Sequence, residues 1–318
     1  MNLDNCGSRI NSGFSRISEQ FRSPWTRLFI TLGLFAVLSS QLDMTNIARI
    51  LETLDPATAT VIIAMNLSLF PLFAKRWQLV ASELGMELPF RQLLGAIWAA
   101  AFVGQFGPTL LVSEATRFQM LRQQASAAQL VTSQIVDRIS GQIVLFALVL
   151  LLLPFYSFST HDWTSKLIAG TAGLVGIASL VVLLTKQRIR SLIGPSGKQA
   201  IRILGKRGLT GHYCVSLVIQ CLLTLNFCLA AIGLGLVDHL FPLIVLIPPV
   251  LAALTLLPIT ISDWGTREAT ALLILASSGL NPESIVAISL VYGSCYVVAS
   301  LPGGLFLVRG RFRRKERS

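Results

Sequence analysis

Six stretches of this chain, 92–113, 139–160, 167–185, 213–237, 240–262 and 284–308, carry no charged side chain. A helix needs about 20 consecutive apolar residues to cross the hydrocarbon of a bilayer, and each stretch is close to that length. Shorter uncharged runs at 28–42 and 57–74 reach it once their flanks are included. A backbone in lipid must satisfy its own amides, which leaves helices as the spanning structure for runs of this kind. With only 13% of residues charged, against roughly 25% in a soluble domain, the sequence describes an all-α polytopic membrane protein.

The net charge of +11 sits in clusters. Arg9, Arg16, Arg22 and Arg27 precede the first run, Lys186 to Arg207 separate two runs, and Arg309 to Arg317 end the chain. Basic clusters at the ends of spans are topology signals, so no nucleic-acid partner is expected. They place both termini in the cytoplasm, facing anionic inner-leaflet lipids at about 1 kcal/mol per basic residue near the surface. The basic stretch ahead of the first run is too long for a signal peptide. Cys214, Cys221 and Cys228 recur every seven residues, about 10 Å apart on a helix, which is too far to share a metal; they are expected to be buried packing residues. His161, His212 and His239 are placed in a loop and at interfaces, without metal-ligand spacing. Neither a cofactor nor a nucleotide-binding loop is expected.

Residues 1–24 are expected to be a basic cytoplasmic segment, 25–308 one membrane domain and 309–318 a basic cytoplasmic tail. Starting from a cytoplasmic amino end, the spans at 26–42 and 57–74 go out and return, and 131–154 goes out. The section 92–122 must then begin and end inside, which suggests a re-entrant helical hairpin turning around Gly104, Gly107 and Pro108. In the second half 167–185 goes in, 213–237 goes out and 284–308 delivers the basic tail inside. The section 240–279 therefore dips from the opposite face and breaks at Pro258, Asp263 and Gly265. The order span, span, hairpin, span occurs in 25–155 and again in 165–308. Pro108 and Pro258 lie 150 apart, as do Arg117 and Arg267. This is an inverted-topology repeat, a design shared by many secondary transporters. Two full crossings in place of each hairpin would keep the same sidedness, but the arms are short for that.

Charges cluster at the breaks. Glu114 and Arg117 share a helical face at i,i+3 spacing, Asp137 and Arg138 open the next helix, and Asp263, Arg267 and Glu268 follow the second break. Seven such groups at about 3 kcal/mol each would cost on the order of 20 kcal/mol facing lipid. They must face protein or a wet cavity. Asp137 is expected to pair with Arg117, or Arg138 with Glu114, and Asp263 with Arg267. Arginine stays charged and grips phosphate bidentately, so these residues are candidates to bind an anionic group. The plainer alternatives are snorkelling by Arg117 and Arg138 and a structural Arg267–Glu268 pair. Gln134, Gln220 and Asn226 are polar positions inside spans, and the run Ser300-Leu301-Pro302-Gly303-Gly304 is expected to kink the last helix.

Several segments resemble signatures of the lysylphosphatidylglycerol synthase transmembrane region family. They are FGPTLLVSEATRFQMLRQQ (106–124), VDRISG (136–141), LPITISDWGTREAT (257–270), SLVYG (289–293) and SLPGG (300–304). The resemblance maps the family's acid and arginine onto Glu114 and Arg117, its Asp-Arg-x-Ser-Gly onto Asp137, Arg138, Ser140 and Gly141, and its Gly-x-Arg-Glu onto Gly265, Arg267 and Glu268. Thr109 to Ser113 replace the glycine-rich turn usual after the first proline. Membership implies a flippase-like protein of a bacterial-type plasma (inner) membrane, a stand-alone member without the aminoacyl-transferase domain.

The leading expectation is therefore a non-enzymatic transporter that moves an anionic lipid or a polyprenyl-phosphate-type substrate between leaflets. An integral-membrane enzyme or enzyme subunit acting on lipid-linked intermediates is the second reading, and a membrane scaffold the third.

Overall fold

The computed structural model describes residues 24–107, 109–155, 204, 210–256 and 262–308. Helices dominate and no strand occurs among these residues. In chain order they are α1 (Pro24–Gln41), α2 (Met44–Glu52), α3 (Pro56–Glu83), α4 (Phe90–Gly104), α5 (Thr109–Leu121) and α6 (Ala127–Leu152). After the gap come α7 (Thr210–Gly233), α8 (Leu240–Leu256), α9 (Thr266–Leu275) and α10 (Pro282–Ser300). Among the described residues five stretches are long and apolar enough to cross a membrane: α3, α6, α7, Val237–Thr255 and Pro282–Val308. The chain is a multi-pass membrane protein. The span expected at 167–185 and most of the basic 186–211 segment lie outside the described residues.

Local chemistry explains several helix starts. Asp55 caps α3, its carboxylate accepting the amides of Ala57 and Thr58 and the Thr58 hydroxyl. The Thr58 hydroxyl and then its amide hold the Asp55 carboxyl below the usual range, because hydrogen bonds to a carboxylate favour its charged form. Pro56 at the start of α3 and Pro282 at the start of α10 use the position where a helix needs no donor. Helix α3 is longer than the run at 57–74 suggested. It continues through Lys75 and Arg76 to Glu83, because its last turns bury Trp77, Val80 and Ala81 against protein.

The short arms are real. Helix α4 has 15 residues, α5 has 13 and α9 has 10, about 22, 20 and 15 Å at 1.5 Å per residue, against a hydrocarbon core of about 30 Å. Helices α4 and α5 fold back on each other, as do α8 and α9. The two interrupted pairs differ in one respect: α8 with the turn before it is long enough to cross, and carries Pro248 and Pro249.

Among the described residues two large apolar cores and one small one, of Leu145, Phe146, Val149 and Ala252, result. One large core joins Ile62 to residues of α7, α8, α9 and α10. The other gathers Phe70, Trp77, Leu93, Leu121 and Val136 from α3 to α6. The carboxyl end ties them together. Helix α10 ends at Ser300 and helix resumes at 303–308, the interruption expected from Pro302-Gly303-Gly304. A Cβ on Gly303 would lie 2.1 Å from the Trp98 carbonyl oxygen, so only glycine allows this approach to α4. The Trp98 indole donates to Ala299 O at 3.0 Å and stacks on Phe306.

One packing expectation fails. Cys228 is buried, but Cys214 and Cys221 are exposed. A seven-residue stripe drifts about 20° per heptad on a straight helix, so the three do not stay on the packed face of α7.

Candidate functional site

The two breaks touch. The Ser262 amide donates to Gly107 O at 3.0 Å, and its hydroxyl donates to Gln105 Oε1 at 2.6 Å. Residues 105–107 end the first arm of one helical pair and 262–265 precede the second arm of the other. Pro108 and Pro258 themselves lie outside the described residues. A Cβ on Gly107 would be 2.8 Å from Val112, so the first turn is tight. The second turn carries Ser262 and Asp263 at φ +52° and +59°, and Gly265 at +83°. This is backbone that residues other than glycine rarely adopt.

Around the first break a buried ion network ties three helices. Asp137 on α6, 2% exposed, accepts Arg76 Nε at 2.9 Å and Arg76 Nη2 at 3.2 Å. It also accepts Arg117 Nη2 at 3.1 Å. Arg117 Nη1 donates to Glu114 at 3.1 Å, and its guanidinium lies 4.0 Å from the Trp77 ring. His212 on α7 is fully buried, its Nε2 3.4 Å from Asp137 Oδ1 and 3.2 Å from Ser140 Oγ. The expected pairs of Asp137 with Arg117 and of Glu114 with Arg117 form. Two features escape sequence reasoning: Arg76, which reads as the loop after a span, and His212, which belongs to the interior rather than an interface. Gln134 bonds across helices, to Glu114 O at 3.0 Å.

The second break has its own cluster. Glu268 is 0% exposed. Its Oε1 accepts Arg267 Nη2 at 2.9 Å and Ser289 Oγ at 2.8 Å, and its Oε2 accepts the Gly265 amide at 2.7 Å. Arg267 therefore pairs with its neighbour, not with Asp263, whose carbonyl instead accepts the Arg267 amide at 2.9 Å. Glu268 folds back to cap α9, and this turns its carboxylate towards the guanidinium beside it. Trp264 and Tyr292 face that guanidinium at 4.7 and 5.6 Å.

The two clusters share an outline, with different partners and spacings. Arg117 bonds to Asp137, 20 residues on, and Arg267 bonds to Ser289, 22 residues on. Four residues further each has a glycine against a guanidinium. A Cβ on Gly141 would lie 2.7 Å from Arg76 Nη1, and one on Gly293 would lie 2.1 Å from Arg267 Nη2.

Between the clusters lies a cavity of about 280 Å³, lined by Arg76, Arg138, Asp263, Arg267, Gln142, Gln220, Tyr292 and Tyr296 among others. At about 30 Å³ per liquid water this is room for roughly nine waters, enough for a headgroup but not for a lipid with its chains. Arg138 is exposed and is one of the residues that border this cavity. Among the described residues neither Arg138 nor Asp263 is in an ion pair. The expected Arg138–Glu114 and Asp263–Arg267 pairs do not form, because Arg117 holds Glu114 and Glu268 holds Arg267. Arg117, packed on Trp77, is not among the cavity residues. A wider groove of about 1230 Å³ runs along α5, α6 and 304–308, but Glu114 is the one ionisable residue along it.

The family described as the lysylphosphatidylglycerol synthase TM region matches residues 25–303. The chain belongs to this family. The match takes in every helix of the site, so the cavity and both ion clusters lie within the family's membrane region. No curated protein and no solved structure matches the chain.

Proposed function

We propose that the protein is a flippase-like transporter that passes an anionic lipid headgroup, or the phosphate of a polyprenyl-type carrier, between the leaflets of a bacterial-type inner membrane. The observation that carries this reading is Arg138, a guanidinium that closes no ion pair among the described residues, at a headgroup-sized cavity between the two breaks. An unpaired charge at membrane depth is costly unless water or a ligand meets it. Arg76 and Arg267 border the same space, each already oriented by a carboxylate, so an entering phosphate meets fixed donors. Acyl chains would stay in the bilayer while the headgroup crosses. The contact between the breaks, and an arginine bonded across to the following long helix beside each of them, support an inverted repeat whose two states face opposite sides. Both termini would lie in the cytoplasm, and the action would be binding and release without bond chemistry.

Reconstituted vesicles test this with a fluorescent phosphatidylglycerol analogue in one leaflet. The protein should equilibrate the label, and Arg138→Gln should slow it at least tenfold. Equal rates for the two proteins would overturn the assignment. A polyprenyl phosphate in the same assay separates the two lipid classes.

A further inference from the structure

Among the described residues, and with His212 counted as neutral, the charged groups around the two breaks balance before any substrate arrives. Arg76, Arg117, Arg138 and Arg267 are matched by Glu114, Asp137, Asp263 and Glu268. An anionic headgroup entering the cavity would leave an uncompensated negative charge in a low-dielectric interior, which is strongly unfavourable. A cation must enter with it, and the structure holds a group suited to receive one.

Three of the four carboxylates are already engaged. Glu114 is bonded to Arg117, Asp137 to Arg76 and Arg117, and Glu268 to Arg267, Ser289 and the Gly265 amide. Asp263 is the exception in that, among the described residues, it closes no ion pair; its carboxylate lies beside Thr109 and near the Arg267 and Arg138 guanidinium groups. It borders the cavity in the second break, on backbone with φ +59°. The groups that share its surroundings are Arg76 of α3, Arg138 of α6, Arg267 and Glu268 of α9, and Tyr292 and Tyr296 of α10. Thr109 of α5 and Gln220 of α7 complete the polar wall. A phosphate drawn to Arg138 and Arg267 would stand beside the Asp263 carboxylate, and like charges sharing a site favour protonation of one of them.

We infer that Asp263 takes up a proton when the anionic headgroup binds, making the protein a proton-coupled carrier in which headgroup and proton occupy one cavity together. The proton comes from water on the side to which the cavity is open, binds a carboxylate oxygen of Asp263, and leaves with the headgroup on the other side. Protonation also frees Arg138 and Arg267 from competition with the carboxylate. This inference rests on the headgroup reading above.

Calorimetric titration of the detergent-purified protein with short-chain phosphatidylglycerol, in buffers of different ionisation enthalpy, counts the protons taken up. A phosphodiester does not titrate near neutrality, so any uptake belongs to the protein. The wild type should take up close to one proton per lipid, and its affinity should weaken by up to about tenfold per pH unit where uptake is complete. Asp263→Asn should bind with no uptake and an affinity that is flat with pH. His212→Gln, which removes the buried histidine outside the cavity wall, should keep the uptake. Binding without proton uptake, or uptake that persists in Asp263→Asn, would overturn the coupling and leave the headgroup site standing. Uptake lost in His212→Gln and kept in Asp263→Asn would overturn it as well. Absence of binding by the wild type would overturn both readings.

Discussion

Asp137 holds two guanidinium groups at once, and its removal leaves both buried and facing each other. Breaking a buried pair from one side costs about 3–5 kcal/mol, so Asp137→Asn should lower the thermal unfolding midpoint in detergent steeply. Arg138→Gln should leave it nearly unchanged, because no ion pair is lost. A similar loss in the two variants would contradict the division between a structural network and a free binding charge. Much of this chemistry was legible in the chain. The i,i+3 spacing of Glu114 and Arg117 forecasts their pair, and the cost of charge in lipid forecasts that Asp137 turns inward. Arg76 was not legible, because beside Lys75 at the end of an apolar run it looks like a loop. His212 failed for the same reason, since hydropathy locates the lipid-facing length of a helix and not the turns buried in protein.

At the level of elements, both breaks depend on small residues where backbones approach. Gly265 combines φ +83° with a place 3.0 Å from where its Cβ would meet Leu34 of α1. Gly265→Ala should therefore destabilise by about 1–3 kcal/mol from the positive-φ backbone alone, and more if α1 must shift. Hydrogen exchange would show this as faster exchange at the start of α9; unchanged exchange there would contradict the strain argument. Prolines and glycines announced where the arms end. The sequence did not announce that Glu268 would fold back onto the Gly265 amide and so take Arg267 from Asp263. That outcome depends on the positive-φ turn, which spacing rules for regular helices do not describe. The extent of α3 was also misjudged, because burial of Trp77 and its neighbours prolongs the helix past its uncharged part.

At the scale of the molecule, the described residues form two large apolar cores, and the polar groups gather where the breaks meet. The recurrence of Pro and Arg at 150-residue offsets pointed to matching halves; the Arg117–Asp137 and Arg267–Ser289 contacts lie near that spacing, at offsets of 150 for the arginines and 152 for their partners. The cavity itself was not readable from the chain, since its walls come from seven helices scattered in sequence. Its most direct test is thiol access at position 138. In a protein whose native cysteines are replaced by serine, Arg138→Cys in sealed vesicles should react with a membrane-impermeant methanethiosulfonate reagent and be protected by anionic lipid in the bilayer. A thiol that stays inert, or that reacts equally with and without anionic lipid, would contradict a hydrated headgroup site between the breaks.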